Sequence, residues 1–133
     1  MMRHYLLDAS ALLALIFDEP GANRVLDVID DSRIHALNLA EVMRKLVLIG
    51  KPLEEVVAHL DELQLEVIED LDVRHAHEIA RLAPEASRLG LSLGDCVCLV
   101  MAELAGMTAV TCERRWSELQ GRGVKVLQIR GDT

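Results

Sequence analysis

The sequence predicts an α/β domain built on a mostly parallel central sheet with helices covering both faces. Short apolar segments rich in Leu, Ile and Val alternate along the chain with helical patterns that carry their own start and stop signals. No internal repeat, linker or low-complexity tract interrupts that alternation. With 133 residues, 51% of them apolar and 27% charged, the expectation is a single globular domain over residues 1–133 with one packed core.

Residues 5–7 read as a first buried strand, and Ser10 is placed to cap a helix through Leu12, Leu13, Leu15 and Ile16, with Asp8 at the junction. Pro20 and Gly21 stop that helix. A second follows through Val25, Leu26 and Ile29, residues 34–37 form a second strand, and Asn38 opens a third helix that Gly50 closes. Pro52 suits the first position of the next helix, through Val56, Val57, Leu60 and Leu63, and residues 65–68 form a third strand. A long helical stretch from Asp72 is expected to be interrupted near Pro84. Ser92 then caps an apolar helix over 93–105, with Asp95 in its first turn. Strands at 108–111 and 125–129 flank a short helix around Trp116 and Leu119.

Fourteen Lys and Arg against 22 Asp and Glu give a net charge of -8, which excludes a protein that grips nucleic acid by charge alone. One Phe, one Tyr and one Trp cannot build an aromatic platform for single strands. Any RNA chemistry must therefore draw much of its positive charge from metal ions. Cys96, Cys98 and Cys112 lack the spacing of a disulfide framework or a zinc ribbon, so reduced thiols and a cytoplasmic location are expected. The apolar run near the start is broken by Asp8 and is too short to span a membrane.

In a parallel sheet, the end of each strand and the start of the next helix lie on one edge, where such folds place their ligands. Four acids fall there: Asp8 after the first strand, Glu41 in the helix after the second, Asp95 opening the long apolar helix and Glu113 after the 108–111 strand. Clustered carboxylates repel, so hard divalent cations such as Mg²⁺ or Mn²⁺ are the expected occupants. Such ions orient and acidify water for attack on a phosphodiester. Three of the acids have a plainer reading as well, whereas Asp8, between a strand and an apolar helix, is harder to dismiss. Glu41 lies three residues after Asn38 and Asp95 three after Ser92, the spacing of a capping box. Glu113 suits any helix start. Coincidence of all four at one edge favours the site.

The stretches around Asp8 and Ser10, around Glu41, from Leu91 to Cys96 and from Thr111 to Trp116 resemble PIN domains, specifically VapC-type toxins. The resemblance runs from Tyr5 to Ile129. It implies a PIN-like three-layer α/β/α fold and a Mg²⁺- or Mn²⁺-dependent endoribonuclease acting on RNA. It also implies inhibition by a cognate VapB-type antitoxin and assembly as a homodimer. Asp8, Glu41 and Asp95 carry over as catalytic metal ligands, with Ser10 and Thr111 as polar supports. The family usually has Asp where this chain has Glu113, so a catalytically weak or inactive PIN-like module that binds RNA or protein is the alternative.

Arg114 and Arg115 are candidate RNA contacts or ion-pair partners, as are Arg44 and Lys45 one turn beyond Glu41. His75 and His77, two apart on a helix, cannot face one metal and are expected at the surface. Cys96 and Cys98 are expected to pack. The apolar helices around Met43, Leu46, Val47 and Ile49 and around Val56, Val57, Leu60 and Leu63 suit either core packing or a partner surface. An aspartyl phosphatase of the haloacid-dehalogenase type needs a second Asp where this chain has Ser10, and a response-regulator receiver needs an acidic pair that is missing.

Overall fold

The computed structural model describes residues 3–119 and 122–131. Five strands, β1 (Tyr5–Leu7), β2 (Ser32–His35), β3 (Glu66–Ile68), β4 (Thr108–Thr111) and β5 (Lys125–Gln128), form one sheet in the order β3-β2-β1-β4-β5, with every pair parallel. Helices α1 (Ala9–Ile16), α2 (Ala22–Val28), α3 (Ala36–Leu48), α4 (Leu53–Glu62), α5 (Val73–Leu89) and α6 (Leu93–Ala105) fill the connections. Short 3-10 segments at Ile29–Asp31 and Arg114–Glu118 precede β2 and follow β4.

Alternation along the strands separates two apolar layers. Leu6 and Ala109 face α5 and α6, packing with Leu82, Val97, Leu99 and Trp116. Leu7 and Val110 face the other way, onto Leu12, Val25, Val42 and Val56 from α1 to α4. The result is the three-layer α/β/α arrangement that the sequence predicts. Seven successive residues of α6, from Cys96 to Ala102, are buried, so its first turn is anchored firmly at the sheet edge. Cys96 and Cys98 pack as expected.

Three helix boundaries differ from expectation, two of them because a different side chain wins the cap. Asp8, not Ser10, caps α1, its carboxylate accepting from Ala11 N at 2.8 Å. Ser10 lies inside the helix and bonds Asp8 instead. At α3 the His35 ring Nδ1 accepts from Leu37 N at 3.0 Å, so the helix starts two residues before Asn38 and leaves Glu41 beyond the first turn. Ile49 closes that helix, and Gly50 follows with φ of 103°, a conformation glycine adopts without strain.

The helix from Asp72 runs unbroken through Pro84, contrary to the expected interruption. Pro84 and Ala80 both face solvent, where water meets the carbonyl that proline leaves without a donor. His75 is buried, also against expectation. Its Nδ1 accepts from Asp72 N at 3.0 Å while Asp72 accepts from His75 N, a reciprocal cap that draws the ring inward. The apolar face of α3 and α4 divides: Val42, Leu46 and Val56 are core, whereas Val47, Leu48, Ile49, Leu53 and Val57 are exposed. Among the described residues, no helix is long and apolar enough to cross a membrane.

The sheet order makes β1 the turning point, because the chain builds outward through β2 and β3 and returns to its other side with β4. A crevice opens where the ends of β1 and β4 diverge into different connections. Because Pro84 sits on the exposed face of a continuous helix, Pro84→Ala is expected to stabilise the protein by about 1–3 kcal/mol. Urea denaturation of both proteins measures it, and an unchanged midpoint would contradict a helix continuous through residue 84.

Candidate active site

Asp8 sits at the crevice and is 1% exposed. Its backbone N donates to Val110 O at 3.0 Å, which extends the pairing of β1 with β4 by one residue. Its Oδ1 accepts from Ala11 N at 2.8 Å and from Ser10 Oγ at 2.7 Å, and its Oδ2 accepts from Thr111 Oγ1 at 2.6 Å. Thr111 accepts in turn from Glu113 N, and Ser10 accepts from Cys112 N. Ser10 and Thr111 are thus placed as supports, locking the Asp8 carboxylate to the segment after β4. Two donors fill Oδ1, and Oδ2 keeps a lone pair.

Burial pushes the Asp8 carboxyl up to about 6; the bonds from Thr111, Ala11 and Ser10 oppose that shift, and the negative charge of Asp95 adds to it. The Cys98 thiol, buried in α6, is pushed well up chiefly by burial and then by the charges of Asp8, Asp95 and Glu41. These three carboxylates therefore share one local field.

Asp95 completes the capping box predicted for α6: Ser92 Oγ accepts from Asp95 N at 3.1 Å and Asp95 Oδ2 accepts from Ser92 N at 2.8 Å. The cap occupies one oxygen and leaves Oδ1. Glu41 forms no such box. Its Oε1 accepts from the Asn38 amide at 3.0 Å, and its carboxylate lies against Gly94, where an added Cβ would stand 2.4 Å from Oε1. Neither Asn38 as a clasp nor Gly94 as a seat was read from the sequence, although Asn38 had been noted for its spacing from Glu41.

Glu113 reaches the same cleft but is engaged by Arg115, whose Nε and Nη2 donate to Oε2 at 3.1 and 2.7 Å. Half-exposed ion pairs of this kind are weak, so the contact is exchangeable. Arg114 is exposed on the 3-10 segment and is not among the residues that line the cleft. Asp8, Ser10, Glu41, Arg44, Lys45, Asp95, Glu113 and Arg115 border one open cleft of ≈ 410 Å³. All four acids predicted from the sequence are thereby brought together.

Among the described residues, no three His, Cys, Asp or Glu side chains are gathered closely enough to enclose a metal ion by themselves. The donor set still fits a hard cation, since Mg²⁺ retains several waters and takes one or two carboxylates directly. Asp95 and Glu41 each have one oxygen held by the scaffold and the other able to accept, and Asp8, held on both oxygens, keeps a lone pair on Oδ2, which suits monodentate or water-mediated ligation.

A family model described as PIN domain matches residues 5–122. No curated protein matches the chain significantly in sequence. Solved structures with the same fold include VapBC from Salmonella typhimurium bound to DNA, 18% identical with a TM-score of 0.69 over 96% of this chain and 98% of that one. VapBC2 from Rickettsia felis, bound to a promoter DNA fragment, is 20% identical with a TM-score of 0.68 over 92% and 98%. VapBC-5 from Mycobacterium tuberculosis is 20% identical with a TM-score of 0.60 over 93% and 97%.

The raised Asp8 pKa has a definite consequence for stability. An unfolded Asp releases its proton near 4, so between about 4 and 6 the native state binds the extra proton and stability falls as pH rises through that window, by about 3 kcal/mol in all. Asp8→Asn removes this loss while keeping an oxygen for Ala11 N. In EDTA the variant is expected to melt above wild type at pH 7.5, with the difference shrinking toward pH 4. Parallel thermal melts across that range decide the matter, and a gap independent of pH would refute the buried-charge account.

Proposed function

Because the chain belongs to the PIN-domain family, we propose that it is a metal-dependent endoribonuclease, the VapC-type toxin of a toxin-antitoxin pair acting in the cytoplasm. The observation that carries this reading is the convergence of Asp8, Glu41, Asp95 and Glu113, from four separate parts of the chain, on one cleft. Asp8 Oδ2, Glu41 Oε2 and Asp95 Oδ1 would hold Mg²⁺ or Mn²⁺ directly or through water. Once bound, that ion supplies an acidified water and offsets the charge that builds on a phosphodiester.

The chain's own residues set the stage for that chemistry. Ser10 and Thr111 fix the Asp8 carboxylate and keep its open lone pair on Oδ2. Ser92 fixes Asp95. Arg44 and Lys45, on the same rim, lie where substrate phosphates would pass and supply positive charge that the chain as a whole lacks. Glu113 is a fourth ligand only after it leaves Arg115. That ion pair favours a second reading, a catalytically weak module that binds RNA, and single-turnover cleavage separates the two.

The proposed partner is a VapB-type antitoxin that presents an Arg to the carboxylates, a geometry suited to bidentate pairing. Support comes from the VapBC complexes among the structures of like fold and from the apolar surface on α3 and α4. That surface adjoins a pocket of ≈ 250 Å³ lined by Leu15, Ile16, Leu46, Val56, Leu60 and Leu63. Exposed apolar area of this kind suits a partner helix or a second copy in a homodimer.

RNA cleavage is expected to need Mg²⁺ or Mn²⁺ and to stop in EDTA. Asp95→Asn keeps the bond from Ser92 N and should lower cleavage by about 100-fold or more. Wild type should gain about 2.7 kcal/mol of stability when Mg²⁺ is present at 100 times its dissociation constant, and the variant much less. Cleavage in chelator, or a variant that cleaves and responds to Mg²⁺ as wild type does, would show that Asp95 is no ligand.

A further inference from the structure

Asn38, in the first turn of α3, is 1% exposed. Its Nδ2 donates to Glu41 Oε1 on the same helix at 3.0 Å and to Gly94 O at the start of α6 at 3.1 Å, so one amide holds the Glu41 carboxylate with one hydrogen and ties α3 to α6 with the other. Both partners are acceptors, which fixes the amide orientation. Oδ1 is left buried with no partner, a cost that an apolar residue of similar size would avoid. On the other side, a Cβ at Gly94 would lie 2.4 Å from Glu41 Oε1 and 2.7 Å from Oε2. Bare backbone is what admits the carboxylate. Glu41 is otherwise solvent-exposed, on a side chain with freedom to sample many rotamers.

We propose that Asn38 is the positioning residue for Glu41, clamping its carboxylate between the amide and the Gly94 backbone so that Oε2 faces the cation before the cation arrives. The inference rests on the metal-dependent reading of the cleft. A purely structural Asn38 has no need to spend its donor on an exposed acid while its own oxygen stays unpaired. The clamp also holds Glu41 against the residue next to Asp95, whose own carboxylate is fixed separately by the Ser92 backbone. Preset geometry matters here because these acids do not enclose an ion at rest.

The test combines Asn38→Ala, Asn38→Ser, Gly94→Ala, Glu41→Ala and the double variant Asn38→Ala/Glu41→Ala. Mn²⁺ affinity is read from the electron paramagnetic resonance of free Mn²⁺, and metal-free protein is followed by ¹³C NMR of the Glu41 carboxylate. Asn38→Ala should weaken Mn²⁺ binding about 10-fold or more, and adding it to Glu41→Ala should cost nothing further. Asn38→Ser, which keeps one donor, should recover part of the affinity. Gly94→Ala favours the helix and displaces only the flexible end of Glu41, so it should fold and weaken Mn²⁺ as Asn38→Ala does. Wild-type Mn²⁺ affinity in Asn38→Ala and Gly94→Ala, or losses that add to Glu41→Ala, would overturn the clamp. If wild type binds no Mn²⁺, the metal reading fails by itself and the NMR decides about Asn38. A single carboxylate environment in wild type that averages in both variants upholds the clamp, and an unchanged resonance refutes it.

Discussion

The rest of the structure depends on one buried carboxylate at the point where a parallel sheet changes direction. Asp8 ends β1, caps α1, and takes Ser10 and Thr111 as donors, so a single side chain joins the central strand, the first helix and the segment after β4. A hydroxyl or amide could make some of these bonds without a charge. The charge has a cost, visible in a carboxyl pushed up to about 6 by burial. On the proposed reading, this buried acid, supported on both oxygens, is the one that a cation would neutralise.

The other carboxylates follow the same division of labour. Asp95 gives one oxygen to the Ser92 backbone, and Glu41 gives one to the Asn38 amide. Each tether restricts the side chain while the second oxygen stays able to accept. Capping and ligation therefore need not compete: the bond that starts α6 also aims Asp95, and the plain reading of that residue from its spacing was correct without excluding the other. Glu113 is different because both bonds it accepts come from Arg115 on the same short segment. Its place at the cleft is set by an exchangeable ion pair rather than by the scaffold.

The layers, the strand order's consequence for the site and the four acids were legible because parallel strands confine strand ends and helix starts to one edge. The continuous apolar run at Leu6 and Leu7 was likewise readable as a buried strand, and the two residues point into opposite layers. Boundaries were less so. Cap preferences rank Ser and Asn highly, yet Asp8 and His35 took those roles because tertiary contacts had claimed Ser10 and Asn38. Pro84 hid a continuous helix, since the cost of a missing donor depends on whether water reaches the carbonyl. The clamp at Asn38 depends on α3 meeting α6 across 56 positions of sequence, and spacing within one helix carries no trace of such a contact.

An acidic chain that is proposed to cut a polyanion faces repulsion before any chemistry begins, with a net charge of -8. Arg44 and Lys45 offset only part of it. The carboxylates that repel RNA are also those that would gather a divalent ion, so on the proposed reading the cation both licenses the substrate's approach and supplies the reactive water. The same charge pattern invites a competitor. Arg115 already shows that a guanidinium fits against a carboxylate of this cleft, with Nε and Nη2 both donating to one oxygen of Glu113. A partner's Arg placed among Asp8, Glu41 and Asp95 would neutralise the charge that the metal needs, without touching the fold that presents it. On that reading, inhibition by such a partner and activation by a cation are opposite uses of one electrostatic feature, and the two occupants would compete for the same carboxylates.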